Sequence, residues 1–374
     1  MASKTDPHSH LGNVLITGGC GFIGSHIVEA VLREEHRGQV YVTSRNPNQH
    51  LLPDVIYKAA DLSNPASINA LISEIKPKVI IHTASPNSSD ASLSDQHFHD
   101  INVTGTGNLL AAATAPSSTV QAFVFTSSIV VLANPPHHLV NESAPTWQPR
   151  DLRKQPNATP YYVSKAEAER LVLRANSPTL ATASLRTCTN YGERDSQWLP
   201  GILYSLDQGQ SRNQIGDGSN CHDFVYAGNT AIAHVLAAKA LLDPGLAKGK
   251  VAGEAFHVTD GVRRRFWDVA HATYRALGDS TDFERDVRVI PGWLMWQVAR
   301  VLEFVWWVAT WGRRRPPIIN KAVMSYSTED YTYDIGKARR VLGYAPRDEL
   351  VVGMERAAKW ELEKRREEKE RKRK

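Results

Sequence analysis

Short apolar runs alternate with longer amphipathic stretches along the first half of the chain. Runs over residues 14–17, 39–44, 55–57, 78–86, 122–128 and 181–186 are rich in Val, Ile, Phe and Thr and are bounded by polar or glycine-rich segments. Their length and β-branched content suit strands, and the most apolar of them suit strands buried on both faces. Between them the period turns helical, over 25–34 and in the segments that open at Asp100 and at Pro160. Strand and helix in alternation predict a parallel sheet wound with helices on both faces. Past residue 195 the alternation loosens. A polar loop over 190–195 leads to a turn at Asp217-Gly218, a strand-like run over 222–227, a helical run over 229–242 and another strand over 255–260. A short helix within 333–344 closes the folded part. The reading is a Rossmann-type doubly wound α/β sheet with a smaller C-terminal lobe.

The segment 13–26 (NVLITGGCGFIGSH) joins the first strand to the first helix through a glycine turn. Gly18, Gly21 and Gly24, with Phe22 and Ile23 between them, are spaced for a turn that lets backbone approach a pyrophosphate at a helix N-terminus. A strand–turn–helix without a ligand uses the same letters. The second strand, arriving about 20 residues later, is what a dinucleotide-binding unit requires. That strand ends in Ser44-Arg45 where an NAD-preferring site carries an acid. Without a carboxylate to repel it, a 2′-phosphate can pair with Arg45, so NADP is favoured over NAD; the plainer reading is Arg45 stacked on adenine or turned to solvent. Asp61 and Leu62 fall where the adenine would be bordered. Ligands bind beyond the carboxyl ends of parallel strands, so His82, Thr83, Ala84 and Ser85 are expected in the cofactor crevice.

The catalytic candidates come in a telling order. A buried strand ends in Thr126-Ser127-Ser128, and the helix opening at Pro160 carries Tyr161 and Lys165 four residues apart, on one face. A serine at a strand end commonly caps its own backbone, and a Tyr–Lys pair is common on surfaces. Glycine turn, strand-end serine and Tyr-x-x-x-Lys in this order point instead to proton transfer at an alcohol. A free phenol, with a pKa of about 10, is a poor base near neutrality. A nearby ammonium and a positive nicotinamide ring are expected to favour the phenolate.

Composition narrows the classes. The chain has 374 residues and a net charge of +5. Residues 364–374 (KRREEKERKRK) hold eight basic and three acidic side chains, so the rest is near neutral and no nucleic-acid groove is expected. The tail reads as a solvated helix end, with contact to anionic lipid as the sharper alternative. Cys20, Cys188 and Cys221 form no metal-ligand or Cys-x-x-Cys spacing, so no metal is expected and a reducing, intracellular compartment is. Residues 1–10 carry no apolar core and read as a flexible N-terminus without a signal peptide.

Residues 290–311 (IPGWLMWQVARVLEFVWWVATW) are the most apolar stretch, yet Gln297, Arg300 and Glu303 interrupt it too closely for a clean span. Trp293, Trp296, Trp306, Trp307 and Trp311, followed by Arg313-Arg314-Arg315, suit an interfacial anchor. A helix pair buried in the lobe's own core is the alternative.

These motifs together resemble the extended short-chain dehydrogenases, and within them the 3β-hydroxysteroid dehydrogenase family, sterol-4α-carboxylate 3-dehydrogenases included. The broad marks are TGGCGFIGSHI (17–27), TSS (126–128), YYVSK (161–165) and YDIGKARRVLGY (333–344). The narrower marks are IIHTASP (80–86), DFVYAGNTAIAHVLAA (223–238), GEAFHVTDG (253–261) and RFWD (265–268). The likeness runs from Leu11 to about Trp360. It implies Tyr161 as acid/base, Lys165 as its partner and Ser128, ahead of the Ile129-Val130-Val131 run, as the hydroxyl that polarises the substrate oxygen. Tyr161 and Lys165 would also touch the cofactor. Two departures stand out: Leu185-Arg186-Thr187 in place of Leu-Arg-Pro, which is expected to reshape the nicotinamide and substrate wall, and Ser44-Arg45 in place of an acid.

The resemblance implies oxidation of a ring 3β-hydroxyl of a sterol, steroid, terpenoid or meroterpenoid, with decarboxylation where a 4-carboxylate is adjacent. It also implies a place on the cytosolic face of the endoplasmic reticulum or another internal membrane, and a homodimer is compatible with it. The expected division is 11–195 for cofactor binding, with later segments returning to it, 196–360 mainly for substrate, and 361–374 as a charged tail. A nucleotide-sugar epimerase or dehydratase is the competing enzyme class. Such enzymes often place Arg before the Asp-Phe-x-Tyr run, where this chain has His222. A non-catalytic cofactor sensor is the third reading, against which intact Ser128, Tyr161 and Lys165 stand.

Overall fold

The computed structural model describes residues 10–88, 93–155, 158–311 and 319–373. Seven strands build the main sheet: β1 (Val14–Thr17), β2 (Val40–Ser44), β3 (Val55–Ala59), β4 (Val79–His82), β5 (Ala122–Ser128), β6 (Ala181–Thr187) and β7 (Glu254–Val258). All pair in parallel, in the order β7-β6-β5-β4-β1-β2-β3. The chain walks outward from β1 to β3 and then returns to lay β4 against the other side of β1. The carboxyl ends of β1 and β4 therefore flank the switch point, where an open α/β sheet forms its crevice.

Period-2 alternation sorts the strand side chains between two cores. Ile16, Ile81 and Val124 pack toward Ile27 and Val31 of α1 (Phe22–Leu32) and Ala231 and Val235 of a long helix (Ala227–Leu242). Their neighbours Leu15, Ile80 and Phe123 pack on the other face, toward Leu109 and Leu110 of α2 (Gly105–Ala113) and Val172 of α3 (Pro160–Arg174). Thr159 caps α3 by accepting the Tyr162 N–H at 3.1 Å, and Pro160 sits in its first turn. A third core gathers Trp198, Phe224, Phe266, Trp267, Tyr274 and Met354.

Local differences from the sequence reading have clear causes. The helix expected at Asp100 begins at Asp95, because Ser94 accepts the His97 N–H and caps it there, and it passes through a π-helical turn over Asp100–Thr104 into α2. The first two residues of the expected polar loop, Asn190 and Tyr191, instead join Thr189 in pairing with the strand Cys221–Tyr226, and Tyr191 is fully buried. Residues 290–311 yield one helix, α4 (Gly292–Thr310), rather than a buried pair, and α5 (Lys321–Thr328) packs against it. The charged tail continues the helix Leu350–Arg373. No helix of the described residues is long and apolar enough to cross a membrane. Arg313, Arg314 and Arg315 lie outside the described residues.

Candidate active site

A cleft of about 1790 Å³ opens at the carboxyl ends of the strands. That is well above the roughly 300–1,000 Å³ of one small-molecule pocket, so it has room for a dinucleotide and a second ligand. Gly18, Gly21, Phe22, Ile23 and Gly24 line one end of it. Gly18 has φ of +71°, and a Cβ there would lie 2.7 Å from the Ala84 Cα. A Cβ on Gly24 would meet the Gly18 carbonyl oxygen at 2.1 Å. Gly21 caps α1 with no side chain, leaving the first N–H groups of the helix to whatever the cradle holds. These residues fit a dinucleotide pyrophosphate.

Ser44, Arg45, Asp61 and Leu62 form the adjoining lip. The Ser44 hydroxyl bonds the Cys20 thiol. Asp61 accepts from the Ser63 N–H at 2.9 Å and its hydroxyl at 2.8 Å, and these bonds hold its carboxyl below the usual range. Arg45 is exposed beside it. Thr83, Ala84 and Ser85 line the cleft, but His82 does not. The strand turns His82 inward, where it is wholly buried.

That burial has its own logic. The Thr106 hydroxyl donates to the Asn102 carbonyl at 2.5 Å and so takes the His82 Nε2–H at 2.9 Å. His82 Nδ1 is then the acceptor for the Thr17 hydroxyl at 2.6 Å. Burial pushes this imidazole down to about 3, the Lys165 charge adding to the effect, so it stays neutral.

Ser128, Tyr161 and Lys165 all line the same cleft. The Lys165 ammonium is buried against the Phe125 ring, 4.1 Å from its centroid, and donates to the Thr126 carbonyl at 2.7 Å. Among the described residues the half-buried Ser128 hydroxyl makes only long bonds, to the Thr187 carbonyl and from the Val130 N–H, both 3.4 Å. Ser127 also borders the cleft, but its hydroxyl is buried and lacks a partner among the described residues.

Burial pushes the Tyr161 phenol up to about 12, opposed by a hydrogen bond with the Ser85 hydroxyl and reinforced by Tyr162. Burial likewise pushes Lys165 down to about 7, against the pull of Glu169. The sequence expectation that Lys165 brings the phenol down is therefore not met by the protein alone.

Sequence reasoning missed Asn102, which organises the pocket floor. Ser85 donates to its side-chain oxygen at 2.9 Å, and its amide donates to Ser164 at 3.0 Å. Ser164 in turn donates to the Tyr161 carbonyl at 3.0 Å. An asparagine followed by Gly105 inside a helical stretch was the available signal. In the Leu185-Arg186-Thr187 run, Arg186 is common to both patterns and forms a buried pair with Glu169, at 2.7 Å. Thr187 lines the cleft in the position the proline would hold.

Aromatic residues wall the far half of the cleft, among them Trp198, Phe266, Trp267, Tyr274 and Tyr326. No cluster of metal-ligating side chains occurs among the described residues.

The chain is similar to known proteins. A profile of the 3-beta hydroxysteroid dehydrogenase/isomerase family matches residues 15–285. The chain is 33% identical to a decarboxylating sterol-4-alpha-carboxylate 3-dehydrogenase of Gibberella zeae, over 80% of this chain and 96% of that protein. It is 31% identical to the Saccharomyces cerevisiae enzyme of the same name, over 94% of this chain and 98% of that one. The structure of Bordetella bronchiseptica WbmH in complex with NAD+ superposes with a TM-score of 0.69 at 20% identity, covering 95% of this chain and 99% of that one. Streptomyces venezuelae DesIV, a dTDP-glucose 4,6-dehydratase with NAD and TYD bound, gives 0.68 at 22% identity, covering 94% and 98%. At such identities the solved structures speak for the fold alone.

Proposed function

The chain belongs to the 3-beta hydroxysteroid dehydrogenase/isomerase family, and from that premise we propose that it oxidises a ring 3β-hydroxyl of a sterol-like or terpenoid alcohol to the ketone with a nicotinamide cofactor. One observation carries the reading: the glycine cradle, Ser128, Tyr161 and Lys165 share a cleft whose other half is walled by aromatic rings. A flat polycycle suits that wall better than a sugar diphosphate does. Where the substrate bears a carboxylate on the carbon next to the new ketone, the product is a β-keto acid that loses carbon dioxide readily. The sterol-4-alpha-carboxylate 3-dehydrogenase relatives support that version.

A bound nicotinamide dinucleotide supplies the hydride acceptor and a positive charge in the cleft. Tyr161 takes the hydroxyl proton of the substrate. It does so as the phenolate: burial raises the phenol, and positive charge beside it offsets that burial and favours the ionised form. Ser128, held only by long bonds, is free to donate to the substrate oxygen as charge develops there. Lys165, tethered to Thr126, keeps its remaining donors for a bound cofactor. Gly18 to Gly24 hold the pyrophosphate, Asp61 and Leu62 border the adenine, and Thr83 to Ser85 floor the crevice. Arg45 favours NADP by pairing with the 2′-phosphate. Residues 11–195, joined by later returning segments, are the cofactor part and 196–360 mainly the substrate part.

We further read the protein as monotopic on the cytosolic face of an internal membrane. The supporting observation is α4: Val301, Phe304, Val305 and Val308, spaced i, i+3, i+4 and i+7, are exposed by 60, 66, 52 and 53%. That is an amphipathic stripe facing outward rather than inward.

The test is incubation of the purified protein with NAD+ or NADP+ and a panel of 3β-hydroxy sterols and terpenoids, with product mass measured. The expected product has lost two hydrogens, or carbon dioxide as well from a 4-carboxylate. Turnover of a nucleotide sugar with none of the alcohols would replace this reading.

A further inference from the structure

The cleft has two unlike margins. On the cofactor side the lip carries Arg45 and Asp61, both exposed and charged. At the opposite end the margin is apolar and is made by α4 and α5. Trp306 of α4 and Val323 of α5 line the cleft and are still exposed by 38% and 43%. Such half-exposed liners are the rim of an opening. The helix that bears this rim is the same one that carries the outward stripe. At 100° per residue, Trp306 lies on the side of Ala299, the one buried residue of α4, whereas Val305 and Val308 turn away from it. One helix thus faces the cleft on one side and presents apolar side chains on the other.

The two helices are tied near the middle of α4. The Glu303 carboxylate pairs with the Lys321 ammonium at 3.1 Å and accepts its N–H at 2.8 Å, and the Trp296 indole donates to the Thr328 hydroxyl at 3.3 Å. Past Glu303, residues 304–309 are exposed at every position. The rim therefore sits at the junction between the pinned and the projecting halves of the helix.

The geometry points to a portal between Trp306 and Val323 through which a bilayer-dissolved polycyclic alcohol passes sideways from the lipid leaflet into the cleft. This rests on the reading of a membrane-bound alcohol dehydrogenase. The physical reason is the cost of the other path. An alcohol of this class that crosses water exposes its whole apolar surface, while one that slides over Trp306 and Val323 keeps its rings against apolar groups throughout. The dinucleotide, polar and charged, uses the opposite lip, so the two ligands do not share a path.

The experiment uses the full chain on phosphatidylcholine vesicles, with Val323→Trp to narrow the rim and Trp306→Ala to widen it. Each is assayed on a vesicle-dissolved 3β-hydroxy sterol and on a small water-soluble cyclic secondary alcohol, beside vesicle flotation. Val323→Trp is expected to lower kcat/KM for the vesicle-borne sterol about tenfold while the soluble alcohol stays within about twofold. Trp306→Ala is expected to spare the sterol and to float like the parent, since the outward stripe is intact. Equal loss on both alcohols in Val323→Trp, or no loss on either, overturns the portal. Failure of the parent to float overturns the membrane reading, and failure of the parent to oxidise either alcohol overturns the dehydrogenase reading.

Discussion

The Lys165 ammonium reaches from α3 to the Thr126 carbonyl, 2.7 Å away at the carboxyl end of β5. This bond joins the two elements that carry the proposed acid/base and the proposed polarising hydroxyl. It also occupies only one of three donors, on a group that burial has brought to about 7.

A pH-dependent binding signature follows. Cofactor oxygens that accept from Lys165 favour its charged form, so its pKa is higher in the complex than in the free protein. Between the two values the complex holds a proton that the free protein lacks. Calorimetry in buffers of different ionisation enthalpy is expected to show proton uptake on cofactor binding at about pH 8 and little at about pH 5.5. Lys165→Met is expected to abolish the uptake. Uptake that is equal at both pH values removes Lys165 from this role.

Tyr161→Phe keeps the ring and loses the proton acceptor. Cofactor affinity is expected to hold while turnover falls by a factor on the order of 10² or more. Near-normal turnover would take Tyr161 out of the chemistry.

Arg45→Ala tests the adenine-end lip. It is expected to weaken NADP alone, by about 1–3 kcal/mol for a lost charge-assisted contact. Equal weakening of both cofactors, or a strong NAD preference in the parent, would show that Arg45 does not read the 2′-phosphate.

Glu169→Gln addresses stability. Glu169 and Arg186 are almost wholly buried, and Ser184 donates to the same carboxylate at 2.9 Å. Removing the acid leaves a buried guanidinium uncompensated, at a cost of about 3–5 kcal/mol in urea unfolding. A loss under about 1 kcal/mol would mean that the Arg186 charge is satisfied elsewhere.

Changing Val301, Phe304, Val305 and Val308 together to Ser leaves the buried side of α4 untouched. The variant is expected to unfold like the parent but to stop floating with vesicles at low salt. Flotation that persists would place the anchor in another segment.

Much of this site was legible in the chain. The glycine turn, the strand-end hydroxyls and the Tyr161–Lys165 spacing depend on local geometry, which local sequence specifies. What escaped depends on neighbours distant in sequence. Asn102 matters because the helix carries a π turn there and because Ser85 and Ser164 meet it. His82 was assigned to the crevice by its place at a strand end, and alternation turned it the other way. Arg186 is held by Glu169, on another element, a pairing that the Leu185-Arg186-Thr187 run does not report. The rise of the Tyr161 phenol reflects burial, which residue spacing does not report. For α4, composition marked an apolar segment, but only the fold shows which side of it is left uncovered.

The late arrival of β7 bears on how the protein is made. β6 ends at Thr187, and the strand that covers its free edge, Glu254–Val258, leaves the ribosome only after the first residues of the third core, Tyr191 to Phe224, have been synthesised. Until then β6 stays a bare edge of almost wholly buried residues, open to pairing with any other nascent chain. A truncated product ending near residue 195 would keep that edge permanently. Cofactor-binding fragments cut at that boundary are thus expected to aggregate, and a soluble minimal dinucleotide-binding fragment has to extend through Val258.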